Sequence, residues 1–228
     1  AVYKQVLDSL VANEILIDKN SFDWVAQKMN YPNKVYPGRY LLQPNSNNRA
    51  LISLLRSGKQ SPFMLTINNI RTQEQLIARI DTTLEADSLS FATLLADTAL
   101  LKKHGFTPDN ITAVFMADTY EFYWNTSAEQ FFNRMLKEYK RFWNEARTKK
   151  ATAKKLSPFE VITLASILEE ETANVSEMPR MAGVYINRLH KDWALQADPT
   201  LKFAIRDFGI KRILNKHLEI ESPYNTYK

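Results

Sequence analysis

The chain has no cysteine, only 5 glycines and 3 histidines among its 228 residues, and no long apolar run. Without cysteine there is neither a disulfide framework nor a thiolate metal site. His104, His190 and His217 are scattered, and no His/Asp/Glu group shows metal-ligand spacing, so neither a metal nor a cofactor is expected. No stretch approaches the roughly 18 consecutive apolar residues that a membrane-spanning helix needs, and no signal peptide is visible. What the chain does hold is core material. A hydrophobic content of 45% with 11% aromatics excludes a disordered chain, and the length suits one large domain or two small ones.

Formal net charge is +5. Much of the basic character lies in one run: Lys137, Lys140, Arg141, Arg147, Lys149, Lys150, Lys154 and Lys155. It reads either as a solvated helix end with a linker or as a surface for polyanions such as peptide carboxylates or an anionic membrane. No nucleic-acid-binding motif accompanies it, so nucleic acid is not an expected partner.

The pattern along the chain predicts a helix-rich α+β protein. Residues 1–67 read as a small α+β unit, with a strand over Arg39–Leu42, a helix stopped by Gly58, and a strand over Ser61–Ile67. Residues 68–148 read as mostly helical, with capping boxes at Thr72-x-x-Gln75 and Ser127-x-x-Gln130. Phe131, Phe132, Met135 and Leu136 on the second of these helices read as core. Residues 115–124, FMADTYEFYW, read either as an ordinary strand with aromatic packing or as part of a sugar-binding cleft, with Asp118 and Tyr120 as cleft candidates. Residues 149–155 read as a mobile connector.

The segment 156–228 carries the chemistry. Ser157-Pro158-Phe159-Glu160 spells an N-cap, a proline at the first helical position and a capping-box glutamate. Val161, Leu164, Ala165 and Leu168 recur at helical spacing and predict a buried face. Glu169, Glu170 and Glu171 close that helix. At about 100° per residue, Glu170 points away from the buried face, while Glu169 and Glu171 flank it, Glu171 about 20° from Leu164. A carboxyl beside a buried stripe is partly desolvated, which raises its pKa and suits a general acid. From spacing alone, surface glutamates at a helix end are the other reading. A second helix follows, expected to be capped by Ser176, with Met181, Val184, Tyr185 and Leu189 on one face and Asn187 and Arg188 near its end. Asn187 can orient a carboxylate, bind a sugar amide or cap. Gln196, Asp198 and Thr200 form a polar loop suited either to sugar hydroxyls or to a turn and cap.

Five blocks stand in order here: Ala165-Ser166-Ile167-Leu168-Glu169-Glu170-Glu171-Thr172, Ser176-Glu177, Val184-Tyr185-Ile186-Asn187-Arg188-Leu189, Leu195-Gln196-Ala197-Asp198-Pro199-Thr200 and Ser222-Pro223-Tyr224-Asn225-Thr226-Tyr227. Together they resemble the signature of the YceG-like, or MltG, family of endolytic murein (peptidoglycan) transglycosylases. Weaker similarity, at Pro37-Gly38-Arg39-Tyr40 and Ala117-Asp118-Thr119-Tyr120 among others, extends the resemblance over nearly the whole chain.

The resemblance implies a LysM-like subdomain over 1–67 and a catalytic domain over 68–228. It implies cleavage of the β-1,4 bond between N-acetylmuramic acid and N-acetylglucosamine, with closure of a 1,6-anhydro ring and without water, metal or cofactor. In the family's Glu-x-Glu the acid maps to Glu171, with Glu169 as rival or substrate contact. Asn187, Arg188, Gln196, Asp198, Thr200, Tyr224, Asn225 and Tyr227 are expected to border the cleft, together with Asp118 and Tyr120. A muramidase-type hydrolase and a non-catalytic peptidoglycan-binding scaffold are the alternatives. The implied partners are glycan strands and peptidoglycan synthases (penicillin-binding proteins). The implied location is the extracytoplasmic face of the cytoplasmic membrane, this chain being a soluble fragment that starts after an N-terminal anchor. The family continues beyond the Tyr-Asn-Thr-Tyr block, so the C-terminal end is expected to be truncated.

Overall fold

A computed structural model describes residues 2–228. The protein is α+β and helix-rich, with one two-stranded sheet among the described residues. Its elements are α1 (Tyr3–Ala12), α2 (Lys19–Lys28), α3 (Asn48–Ser57), β1 (Phe63–Ile67), α4 (Gln73–Asp81), α5 (Ser88–Ala96), α6 (Thr98–Lys103), β2 (Asp118–Phe122), α7 (Ala128–Phe142), α8 (Glu145–Ala153), α9 (Pro158–Glu171), α10 (Met178–His190), α11 (Asp198–Ile205) and α12 (Asn215–Leu218). No helix of the described residues is long and apolar enough to cross a membrane.

The chain divides into two compact units, Ala1–Glu138 and Tyr139–Lys228. In the first, α1, α2 and α3 pack Leu7, Leu10, Phe22, Ala26, Leu51, Ile52 and Leu55 into one cluster with Tyr31. Asp18 caps α2 by accepting from the Asn20 and Ser21 amides. Asn47 caps α3, and Gly58 ends it in the left-handed region at φ 68°, where a side chain would be strained.

Residues 39–42 do not form the expected strand. They run alongside Ser61 through only two hydrogen bonds, Ser61 N–H to the Arg39 carbonyl at 2.8 Å and Leu41 N–H to Ser61 Oγ at 3.1 Å. The true partner of β1 is distant in sequence. β1 pairs antiparallel with β2, from Phe63 opposite Phe122 to Ile67 opposite Asp118. The boundary expected after Ile67 therefore does not coincide with the division after Glu138.

Within residues 115–124, Asp118–Phe122 form β2. Tyr120 and Phe122 point inward. Phe122 packs on Phe131 of α7 with ring centroids 4.8 Å apart, and Phe91 meets Phe131 edge-on at 5.5 Å. The expected box at Ser127 is present, with Ser127 N–H on Gln130 Oε1 at 3.0 Å and Gln130 N–H on Ser127 Oγ at 3.2 Å, whereas Thr72 caps α4 without closing a box, because Gln75 Oε1 accepts from Arg71 N–H at 2.8 Å instead.

In the second unit the expected connector is mostly helix: residues 149–153 lie in α8. Asn144 caps it by accepting from the Arg147 amide, and Ala151 is buried. Alanine and lysine are good helix formers, and burial of Ala151 gives that propensity an anchor. α9, α10 and α11 then build a small core from Leu164, Leu168, Tyr185 and Ala197, ringed by Leu156, Ile167, Met181, Ala182, Ile186 and Leu195.

Candidate active site

The site is assembled from the end of α9, the middle of α10, the start of α11 and the last residues of the chain. α9 begins as its sequence dictates. Ser157 N–H donates to Glu160 Oε2 at 2.7 Å and Glu160 N–H to Ser157 Oγ at 3.3 Å, with Pro158 at the first helical position. Those hydrogen bonds hold the Glu160 carboxyl below its ordinary pKa. Leu164 and Leu168 are buried and Val161 is half-buried, while Ala165, expected inside, is exposed. The buried stripe runs through Leu164, Ile167 and Leu168 instead.

Glu171 closes this helix. Its carboxyl pKa is raised, first by desolvation and then by the negative charge of Asp198, with Lys202 acting in the opposite sense. Part of the residue stays open to solvent, as a group that must meet a substrate requires. The helix adds to the effect. Glu171 is the last residue of α9, whose final turn contains no basic residue, and the negative end of a helix dipole disfavours a carboxylate there.

Tyr185, Asp198 and Tyr227 share this environment. The Tyr185 phenol is raised by burial and by Glu171, with Arg188 opposing. The Tyr227 hydroxyl donates to Asp198 Oδ1 at 2.5 Å, and its pKa is pushed up to about 12 by burial and that bond. Glu171, Tyr185, Asp198, Lys202 and Tyr227 thus form one electrostatically connected group. Tyr185 and Lys202 are members that the sequence reading did not name as site residues. Tyr185 looked like core because it falls on the apolar face of α10. Lys202 had a legible signal, its place four residues after Asp198 on a helix.

The C-terminal residues fasten the loop before α11. Thr226 accepts the Gln196 N–H at its carbonyl (2.8 Å) and the Ala197 N–H at Oγ1 (3.0 Å), and its hydroxyl lies 2.9 Å from Thr200 Oγ1. Asn225 is buried. Its side-chain amide donates to the Leu218 and Ile220 carbonyls, both at 2.9 Å, while its Oδ1 accepts from Tyr227 N–H at 2.9 Å. Thr200 is also buried and donates to the Ala197 carbonyl at 2.8 Å. Thr200 and Asn225, expected to touch substrate, therefore spend their polar groups on bracing.

Arg188 is likewise a brace. Its guanidinium donates to the Leu195 carbonyl at 2.5 Å and lies 3.4 Å from the Ala194 carbonyl and from Gln196 Oε1. Those contacts hold the loop before α11. Gln196 sits at φ 52°, a left-handed conformation costing a non-glycine residue about 1 kcal/mol. The clamp and the Thr226 bond hold it there.

The other candidates are more open. Glu169 and Asn187 are exposed on α9 and α10. Tyr224 is 43% exposed and rests edge-on against Phe203, with centroids 4.8 Å apart. The cap expected from Ser176 is absent: Glu177 occupies the N-cap position of α10, and Ser176 Oγ donates to Asn174 Oδ1 at 2.8 Å. The expected face of α10 is also rotated. Tyr185 is buried and Met181 packs on the core, but Val184 and Leu189 are exposed and Ala182 and Ile186 replace them. Asp118 and Tyr120 both lie on β2 in the first unit, where Tyr120 is buried with its hydroxyl donating to the Met116 carbonyl at 2.7 Å. Among the described residues, no three His, Asp or Glu side chains are grouped to hold a metal ion.

An exposed carboxyl with a raised pKa, flanked by phenols and a second carboxylate, is the equipment of a single-acid site. The model of the YceG-like family matches residues 1–228, and the chain belongs to that family. It is 29% identical, over 96% of its own length and 64% of the other's, to a Bacillus subtilis (strain 168) protein named endolytic murein transglycosylase. It thus spans less than two thirds of that relative. A Streptococcus pneumoniae (strain D39) protein of the same name is 35% identical over 33% of this chain and 14% of its own length. The fold is that of a YceG-like protein from Listeria monocytogenes, with a TM-score of 0.64 and 24% identity over 100% of this chain and 80% of that one.

Proposed function

We propose that the chain is the catalytic part of an endolytic murein transglycosylase in which Glu171 is the only acid–base group. The observation that carries this reading is the position of Glu171, desolvated beside Asp198 at the negative end of α9. Protonated Glu171 donates to the glycosidic oxygen between N-acetylmuramic acid and N-acetylglucosamine, and the C1–O bond breaks. The substrate's N-acetyl carbonyl stabilises C1. The resulting carboxylate takes the proton of the C6 hydroxyl, whose oxygen bonds to C1 and closes the 1,6-anhydro ring. One carboxyl serves both steps and returns to its starting state. The proton transfers contribute on the order of 10²–10⁴-fold, and the rest comes from holding the sugar.

Asp198, fixed by Tyr227, offers its remaining acceptor capacity to a sugar hydroxyl or acetamido N–H. The exposed ring of Tyr224, braced by Phe203, offers a stacking face. Glu169, Asn187 and Gln196 are the further substrate contacts in this reading. α1–α3 form the LysM-like, glycan-holding part, as the family resemblance suggests. The setting is the outer face of the cytoplasmic membrane, alongside peptidoglycan synthases.

The test is digestion of intact peptidoglycan sacculi by wild type and Glu171→Gln, read by mass spectrometry. Internal fragments with anhydro ends from wild type alone are the expected result. Products heavier by one water would mean hydrolysis, and no products from wild type would remove the enzymatic reading.

A further inference from the structure

Lys202 belongs to the site by position, yet the reaction above gives it nothing to do. It lies on α11 four residues after Asp198, so the two side chains leave the same helix face one turn apart. α11 packs against α9, which carries Glu171. The Lys202 charge is felt at the Glu171 carboxyl, against that of Asp198.

Among the described residues no hydrogen-bond partner takes this cation up. Asp198 accepts from Tyr227 instead, and no hydrogen bond or ion pair of the described residues engages Lys202 Nζ. The residue is half-buried. An ammonium with no hydrogen-bond or ion-pair partner keeps its three donors for an arriving anion.

Resting on the murein reading, we infer that Lys202 is a specificity residue that receives a carboxylate of the muramyl unit, so that the site prefers glycan bearing a free carboxylate there over glycan in which it is amidated. The chemistry on offer is limited. Acetamido and hydroxyl groups are neutral, and the anions of such a strand are the lactyl carboxylate of peptide-free muramic acid and the carboxylates of peptide stems. Either presents an oxygen pair to a flexible ammonium, a charge-assisted contact stronger than a neutral hydrogen bond. The same cation restrains the pKa of Glu171, so binding of the carboxylate weakens that restraint and favours the protonated acid as substrate arrives.

Binding is best measured without turnover, by calorimetry on the full chain carrying Glu171→Gln. The ligands are peptide-free muramyl oligosaccharides with the lactyl carboxylate free, the same oligosaccharides with it methyl-amidated, and stem-bearing oligosaccharides. Adding Lys202→Met is expected to weaken binding of a carboxylate-bearing ligand about tenfold, equivalent to about 1.4 kcal/mol. The amidated ligand should bind both proteins equally, and Lys202→Arg should retain the preference. Loss confined to the peptide-free ligand assigns the lactyl group, and loss confined to the stem-bearing ligand assigns the stem. Equal affinity for free and amidated ligands, or a loss that ignores the carboxylate, overturns the inference and leaves the murein reading intact. No binding of any muramyl ligand, together with no anhydro product from wild type, removes both.

Discussion

The Tyr227 hydroxyl donates to Asp198 Oδ1 at 2.5 Å across 29 residues of sequence. This bond joins the end of the chain to the first residue of α11 and fixes the carboxylate that raises the Glu171 pKa. With its own pKa pushed up to about 12, Tyr227 remains a donor throughout the neutral range. Tyr227→Phe keeps the ring and removes the donor. It is expected to cost about 1–2 kcal/mol of stability, in the range of a hydrogen bond to a charged group at a part-buried site. It should also lower kcat/KM about tenfold by releasing Asp198. Thermal melts and steady-state rates on soluble glycan check both effects; normal kinetics with lowered stability would make the bond a purely structural one.

Glu171→Gln is expected to abolish turnover while making the fold more stable at neutral pH. The sign follows from linkage. The folded-state pKa of Glu171 lies above its unfolded value, so the folded protein binds the proton more tightly. Above the folded pKa the ionised group is a burden, and below the ordinary carboxylate pKa of 4.5 it is not. The stability advantage of glutamine should therefore grow as pH rises through the folded-state pKa and vanish as pH falls below 4.5. Melts of both proteins from pH 4 to pH 8 test this, and parallel curves would contradict it.

Asp198→Asn removes the charge that supports the Glu171 proton. The first step needs protonated Glu171, so the rate falls as pH rises through its pKa. With Asp198 neutral that pKa drops, and the alkaline limb of the kcat profile should move to lower pH. Lys202→Met should move it the other way, because Lys202 lowers the same pKa. Opposite shifts in the two variants are a signature that misfolding would not produce.

Thr226→Val is isosteric and deletes the hydroxyl that accepts from Ala197 N–H and meets Thr200 Oγ1. Ala197 is fully buried, so its amide is left without a partner. The expected loss is about 1–3 kcal/mol, seen as a lower urea midpoint with an unchanged slope.

Tyr120→Phe is the control outside the site. It removes the bond to the Met116 carbonyl in the core of the first unit. A loss of about 1 kcal/mol is expected, with kcat/KM unaltered; a selective loss of activity would return Tyr120 to the substrate cleft.

Local chemistry made much of this protein legible from its residues. The α9 start at Ser157-Pro158, the cap at Thr72, the box at Ser127 and the stop at Gly58 depend on groups within a few positions of one another. Helical spacing also placed Leu164 and Leu168 inside, and both are buried. Helical spacing was less reliable for residues whose burial depends on where the neighbouring helix crosses. Ala165, Val184 and Leu189 were expected inside and are exposed, because α9, α10 and α11 meet along Leu164, Leu168, Tyr185 and Ala197.

What the sequence determined by itself was a helix-rich protein with an acidic helix end beside an apolar stripe, because periodicity and capping are local. Tertiary structure alone decided the pairing of β1 with β2 from 118–122, which left Tyr120 in a core. It also decided which polar residues brace and which remain open. Thr200, Asn225 and Arg188 carry the same donors and acceptors whether they bind sugar or backbone. Their bonds run to Ala197, Leu218 and Leu195, whose proximity only the folded chain creates. The Asp198 charge that adds to desolvation in raising the Glu171 pKa comes from another helix, a long-range contribution that no spacing along α9 contains.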